Sequence, residues 1–535
     1  MPATRTAVLV AVGLLGLLTT HYPTLLSGFV RMQPEAGDAI LNNYFLEHTY
    51  RWAFDRAYPY SFWSPGFFYP APYTFTYSET LIGTAPLYWL LRAVGLPESV
   101  ACQVWTLILF ALNYASMAVV LRWFGVNTVL TATGAYLFAF GLVRVSHLTH
   151  QQLIPQFMSP FAVWYAWSMV QDPTPRRWAL LVGLTSWQIL ASLHLGWFLG
   201  FGLAIFAGWA LCVEAGCGRR VWTFVRTRPV AFGVPVVLAG VVVGGYARTF
   251  YKAAPERREY WQAASYAPYI DGWFVAYDGS LWRDVLTPRP VENFSEKQLF
   301  QGFGALAVMA VGGWYAYRRR FAGRGLALCG AGTALTLTVL VTKWGYDVSL
   351  WFVVHSLVPG ANAFRAVGRV AFVVYLFGII GGTVGFQAWV ADRFPARGRW
   401  LLLGLFALVV VEQLVPRPDS FRKADQGYGQ AEALVPAMRG ADVAYVVYDG
   451  SIPDYRHHIA AMFGGMWADV PTINGFSGAQ PKDFPAYTYV PSLDELITVL
   501  GPDWRGTLAV IEWGPPVRRT VYRVEPGGRW TVIPE

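Results

Sequence analysis

The chain has 535 residues, 55% of them hydrophobic and only 14% charged, with a formal net charge of +9. A water-soluble domain carries about 25% charged residues, so this composition excludes a wholly soluble protein and requires much of the surface to face lipid. The positive balance resembles a nucleic-acid footprint in sum but not in distribution, because it collects in the short loops between apolar runs.

Residues 7–30 form the first apolar run, preceded only by Arg5 and long enough to cross a hydrocarbon core of ~30 Å. No small-residue cleavage pattern follows it, so a retained signal-anchor is expected. Further spans are read at 99–121, 126–142, 156–171, 178–194, 195–213, 230–247, 301–316, 325–342, 367–390 and 400–415, about eleven transmembrane helices in all. With the N-terminus inside, the cytoplasmic segments hold fifteen arginines, from Arg5 to Arg399, against Asp172, Glu214 and Asp392. That asymmetry is the positive-inside rule. The same topology places the C-terminus outside, puts none of the four cysteines in an outer segment, and brings all eight histidines to the outer half.

The first long outer loop, 31–98, opens with Gly37 and Asp38 and a short helix in which Leu41, Tyr44, Phe45, His48 and Trp52 recur at helical spacing. The apolar stretch 80–94 is expected to lie flat at the outer interface as a second amphipathic helix. Were it to span, every later arginine cluster would change sides. Between the two helices, Tyr58, Tyr60, Trp63, Phe67, Phe68, Tyr69 and Tyr73 suit a headgroup-level aromatic belt. A dense polar cluster follows the third span, Arg144 to Gln152, and is costly at membrane depth unless it lines a cavity. A second long outer loop occupies 248–300. Residues 416–535 change character, with short β-like runs at Val443–Tyr448, Thr507–Ile511 and Trp530–Ile533 and one helical stretch near 492–500. The fold class read from this is an α-helical polytopic membrane domain, residues 1–415, followed by an extracytoplasmic α/β or α+β domain, residues 416–535.

Several residue types carry chemistry. Asp38 is suited to act as a general base, a role open to carboxylates because partial burial can raise their pKa, or to cap the helix it opens. His147, His150, Gln151 and Gln152 are suited to contact substrate or to hold a divalent metal, though His-x-x-His lacks the glutamate and spacing of the zinc metalloprotease helix; plain hydrogen bonding is the alternative. Arg365 and Arg369, four apart, would share one helix face and offer planar forks to a phosphate, or anchor headgroups. Lys252, Arg257 and Arg258 carry the same two readings. Glu79 is a candidate second carboxylate or a cap. Gly475-Phe476-Ser477-Gly478 lacks the second glycine of a nucleophile elbow, and neither a P-loop nor a dinucleotide turn is present, so a soluble nucleotide-sugar donor has no visible site.

The layout resembles the C-type glycosyltransferase superfamily, GT-C. Its members are multi-pass membrane enzymes with a long first outer loop of two amphipathic helices and an acidic residue just after the first span, where Asp38 stands. The stretches Gly37–His48, Phe68-Tyr69-Pro70-Ala71-Pro72 through Glu79, His147–Gln152, Val358-Pro359-Gly360 through Arg369, and Asn474–Gly478 look like a bacterial group related to glycosyltransferase family 39 and the YfhO-type proteins. The resemblance implies a polyprenyl-phosphate sugar donor, inverting transfer and Asp38 as catalytic base. One departure stands out: the acidic pair many members carry in the second outer loop, where it helps hold a metal, is replaced by His147, His150 and Gln151. No cofactor is required by the sequence, and a divalent metal is left open. The expected function is hexosyl transfer from a lipid phosphate to a glycan, lipid or protein acceptor on the outer face of a bacterial plasma membrane. A lipid-linked glycan transporter or a non-catalytic assembly subunit is the alternative; a transporter would show internal repeats and midplane ionisable groups, and neither is seen.

Overall fold

The computed structural model describes residues 3–253, 258–286, 294–345, 348–416, 418–448, 454–482, 484–485, 489–514 and 516–534. In chain order its elements are helix α1 (Ala3–Leu26), strand β1 (Arg31–Met32), α2 (Asp38–Phe54), α3 (Ala85–Ala93), α4 (Glu98–Trp123), α5 (Thr128–Phe140), α6 (Leu142–Ser146), α7 (Met158–Gln171), α8 (Pro175–Ala191), α9 (Leu193–Val213), α10 (Cys217–Thr227), α11 (Pro229–Ala253) and α12 (Tyr260–Tyr266). Then follow α13 (Phe303–Arg318), α14 (Arg324–Val341), α15 (Trp351–Leu357), α16 (Ala371–Arg393), α17 (Gly398–Glu412), β2 (Phe421–Arg422), α18 (Tyr428–Met438), β3 (Val443–Tyr448), α19 (Tyr455–Ala468), α20 (Leu493–Leu500), β4 (Gly506–Trp513), β5 (Arg518–Val524) and β6 (Trp530–Ile533).

Each of the eleven expected spans falls on a helix. Among the described residues seven helices are long and apolar enough to cross a membrane. The other four, α7, α8, α13 and α17, have 14, 17, 16 and 15 residues, or roughly 21–26 Å at 1.5 Å per residue. The surface agrees with a lipid environment. Helix α11 exposes Val230, Val237, Leu238 and Val241 at 61–74% each, a continuous apolar face that water would penalise. The stretch 80–94 contributes only the nine-residue α3, about 14 Å long, too short to span.

The chain forms two compact units. The first comprises Met1–Leu25, Thr106–Gly245 and Glu256–Pro418. At its centre lies α16, whose apolar window is wholly buried. Glycines make this packing close: a Cβ at Gly312 or at Gly385 would collide with the carbonyl oxygen of the other helix, and one at Gly330 would lie 2.7 Å from the Phe377 carbonyl oxygen. In lipid, where apolar side chains gain nothing by leaving solvent, such backbone approach is the main source of helix association.

The second unit comprises Leu26–Trp105, Tyr246–Pro255 and Asp419–Glu535. Its four-stranded sheet runs β3-β4-β5-β6, with β3 parallel to β4 and the other pairs antiparallel. Residues 66–69 of the first outer loop run beside this sheet. Thr472 N–H donates to Gly66 O (2.8 Å), Phe68 N–H to Asn474 O (3.2 Å) and Tyr69 N–H to Thr472 O (3.0 Å). Two sequence expectations are corrected here. Phe67 and Phe68 are 1% and 4% exposed because they pack under this pairing, so they do not belong to a headgroup belt. Helix α2 is not a surface-lying amphipathic helix; residues 39–49 are buried on every side. Tyr44 packs edge-on against Phe463 of α19 (centroids 5.4 Å), and Glu47 accepts from Arg92 Nε (2.8 Å), Arg92 Nη2 (3.0 Å) and Tyr88 Oη (2.6 Å).

His48 shows what this burial does. Its Nε2 lies 2.9 Å from the Phe62 carbonyl, which only accepts, so Nε2 carries the proton and Nδ1 accepts from Tyr58 Oη (3.0 Å). Burial, opposed by the Phe62 carbonyl and aided by the Arg51 charge, lowers the imidazole to about 4. The unfolded chain therefore takes up this proton first, near the ordinary 6.5. Stability is full above that pH and falls by roughly 3 kcal/mol as pH drops through 6.5 toward 4. Thermal unfolding of the detergent-solubilised protein across that range should show the loss, and His48→Gln should flatten it.

Candidate active site

The predicted residues separate into two places, each built inside one unit. In the first unit, α5 ends at Gly141 and the chain turns through α6 into the polar cluster. Arg144 holds this turn: buried, it donates to the carbonyls of Phe138 (3.0 Å), Leu153 (3.2 Å) and Ile154 (2.8 Å) and to Gln156 Oε1 (2.5 Å). The cluster thereby satisfies itself at depth, and it sets His147 and His150 facing one carboxylate, Glu296, which the sequence reading did not single out.

Glu296 lies just before α13 and is 8% exposed. Arg369 grips it with both arms of its fork, Nε to Oε2 at 3.0 Å and Nη2 to Oε1 at 2.5 Å. His150 Nε2 stands 3.0 Å from Oε1 and His147 Nε2 3.7 Å from Oε2. The His147 tautomer follows from its other nitrogen. Nδ1 faces the Val143 carbonyl at 2.8 Å and must carry a proton, while the buried Nε2 has no hydrogen-bond partner. Burial pushes the Glu296 carboxyl up, but the Arg369 charge and the hydrogen bonds from His150 and Arg369 outweigh it and hold the group well below the usual carboxylate range. A buried, ionised carboxylate that orients imidazoles is a recurring support for proton transfer and polar substrate contact.

This arrangement corrects the arginine pair. Arg365 and Arg369 do not share a helix face: Arg365 lies in a non-helical bend and is exposed, and Arg369 is buried in the ion pair with Glu296. Arg365 instead lies over the Tyr266 ring at 5.6 Å and near Arg258, whose guanidinium is lowered first by burial and then by the Arg365 charge. Arg258 and Arg365 thus stand as two adjacent like charges. Gln151 is buried in a short 3-10 turn. Arg257 lies outside the described residues. The other histidines serve elsewhere: His194 packs on Phe364, His355 lies 3.2 Å from the Arg258 carbonyl, and His457 completes the capping box of α19.

In the second unit, Asp38 opens α2, but the cap position belongs to Gly37. The half-buried carboxylate sits in the first turn, where the helix dipole favours a negative charge. Gly37 is required by its neighbour, since a Cβ there would lie 2.7 Å from Tyr455 Cε2. The Tyr455 phenol is pushed up to about 12 by burial and by Glu35, with Asp38 adding to the rise, so it stays a proton donor. Its ring packs on Phe476 at 4.9 Å. Glu79 does not cap α3, which starts at Ala85 behind Thr84; it is buried near Tyr246, whose Oη lies 2.9 Å from Thr80 Oγ1. Lys252 is exposed in the last turn of α11.

Among the described residues no group of three or more His, Cys, Asp or Glu side chains is spaced to hold a metal ion. Where His147, His150 and Glu296 converge, the Arg369 guanidinium already occupies the carboxylate. The signal for Glu296 in the sequence was only a carboxylate five residues before an apolar run.

No protein-family profile matches the chain, and no curated protein matches it significantly. Among solved structures the chain resembles ArnT from Cupriavidus metallidurans in the apo state, with 12% identity, coverage of 94% of this chain and 92% of that one, and a TM-score of 0.46. The likeness is too distant to carry chemistry over to this chain.

Removing the charge from Glu296 leaves Arg369 buried and unmatched. Glu296→Gln should therefore cost about 3–5 kcal/mol, and Glu296→Gln with Arg369→Met distinctly less than the sum of the single changes. Thermal denaturation of the three variants in one detergent measures the difference.

Proposed function

We propose that the protein is a GT-C-type membrane glycosyltransferase that moves a hexose from a polyprenyl-phosphate donor to an acceptor on the outer face of a bacterial plasma membrane, with inversion. The observation that carries this reading is the start of α2. A carboxylate directly after the first apolar helix is half-buried at a helix N-terminus whose cap position is filled by a glycine. Asp38 accepts the proton of the acceptor hydroxyl as the sugar carbon is attacked. Arg258 and Arg365 hold the departing lipid phosphate, a role for which Arg369 is less suited because Glu296 engages it. His150, oriented by Glu296, contacts the donor together with His147, and residues 416–535 position the acceptor.

The test is turnover of polyprenyl-phosphate hexose by the purified protein. General-base catalysis typically contributes 10²–10⁴-fold, so Asp38→Asn should lower the rate by that factor with unchanged thermal stability, while Arg365→Ala raises the KM for donor. Unchanged turnover in Asp38→Asn removes the carboxylate from this role. Orientation is checked by cysteine labelling. Val94→Cys, at a side chain 76% exposed, should react with an impermeant maleimide from outside, and Arg122→Cys only after the membrane is opened.

A further inference from the structure

The second unit contains a cleft of about 480 Å³ that the proposed chemistry does not use. It is formed by the end of α3, the start of α4, the turn after β2, α18 and α19, with Arg92, Glu98, Lys423, Glu432 and Trp467 among its lining residues. Its volume lies within the range of small-molecule sites.

We infer that this cleft is a saccharide-binding subsite, separate from the transfer site at Asp38. The argument rests on which charges remain to be matched. Arg92 is already engaged by the buried Glu47 through two bonds of 2.8 and 3.0 Å and by the Leu96 carbonyl at 2.6 Å. Lys423 Nζ bonds two neutral oxygens, Ser99 Oγ at 2.9 Å and Gln103 Oε1 at 3.2 Å, and among the described residues it forms no ion pair. Opposite in sign stand Glu98, 4.0 Å from Arg92 and hydrogen-bonded by Trp467, and Glu432, exposed at the rim. An anionic ligand would meet these two carboxylates, and a cationic one would meet Lys423. A polyol suits both, because every hydroxyl donates one hydrogen bond and accepts others. The half-buried Trp467 adds a flat aromatic face for the apolar side of a pyranose ring. Helix α19 also fixes the spacing. Tyr455, beside Asp38, and Trp467 are twelve residues apart on it, about 18 Å along the axis, so the cleft takes a sugar unit remote from the reacting hydroxyl.

Saturation-transfer NMR and calorimetry on the full detergent-purified chain, with maltose, lactose and N,N′-diacetylchitobiose as probes, test this without requiring turnover. At least one disaccharide should bind with a millimolar Kd. Trp467→Ala should weaken it at least tenfold and the rim variant Glu432→Gln several-fold, while Asp38→Asn should leave it unchanged. Absence of binding by all three probes overturns the inference, as does binding insensitive to both cleft variants. Glycerophosphoethanolamine or inorganic phosphate binding with the same sensitivity to Trp467→Ala and Glu432→Gln would also overturn it, by assigning the cleft to a lipid headgroup. Loss of disaccharide binding in Asp38→Asn would place the sugar at the transfer site instead, whereas loss of turnover alone in that variant concerns only the catalytic reading.

Discussion

The three backbone hydrogen bonds between residues 66–69 and 472–474 determine how the second unit is put together. They join a loop that directly follows the first apolar helix to a domain encoded more than 400 residues later. Once that pairing forms, the rings of Phe67 and Phe68 must enter the interior, and α2 is enclosed between its own loop and α19. Burying α2 in turn creates the demand that Glu47 meets with Arg92 and Tyr88, and it makes His48 choose one neutral tautomer. The carboxylate at Asp38 is thus fixed by long-range pairing rather than by helix propensity.

The first unit is governed by a different constraint. Apolar contact among its helices is not rewarded in lipid, so glycine-lined approach around α16 and internal satisfaction of polar groups hold it together. Arg144 and the Glu296–Arg369 pair are two of the places where charge is carried into the interior, and both are hydrogen-bonded. The histidines gather at the second of these because the ionised carboxylate is the strongest acceptor available there.

Much of this was legible in the sequence, and the failures have a common cause. Hydropathy located all eleven helices because membrane insertion acts on each segment locally. The Arg144–Gln152 cluster announced itself by its cost, and the arginine asymmetry argued against a span at 80–94, where the structure has only the nine-residue α3. The misreadings concern residues whose role depends on a distant partner. Arg365 and Arg369 share a face only on a continuous helix, and the chain breaks at the bend that frees Arg369 to reach Glu296. Phe67 and Phe68 read as interfacial because their cover, residues 472–474, has no local signature. Glu296 was missed because a carboxylate carries no pattern until Arg369 and His150 are assembled around it.

The contact between Gly37 and Tyr455 gives the first helical turn of α2 a mechanical property. With no side chain at residue 37, the phenol ring presses directly on the backbone that presents Asp38, and Phe476 braces it from behind. Any displacement of α19 or of the 474–478 loop is therefore transmitted to the carboxylate without an intervening flexible side chain to absorb it. Position 37 acts as a rigid coupling between the C-terminal sheet domain and a single acidic group, and evolution of that domain would retune the geometry of the acid without changing it.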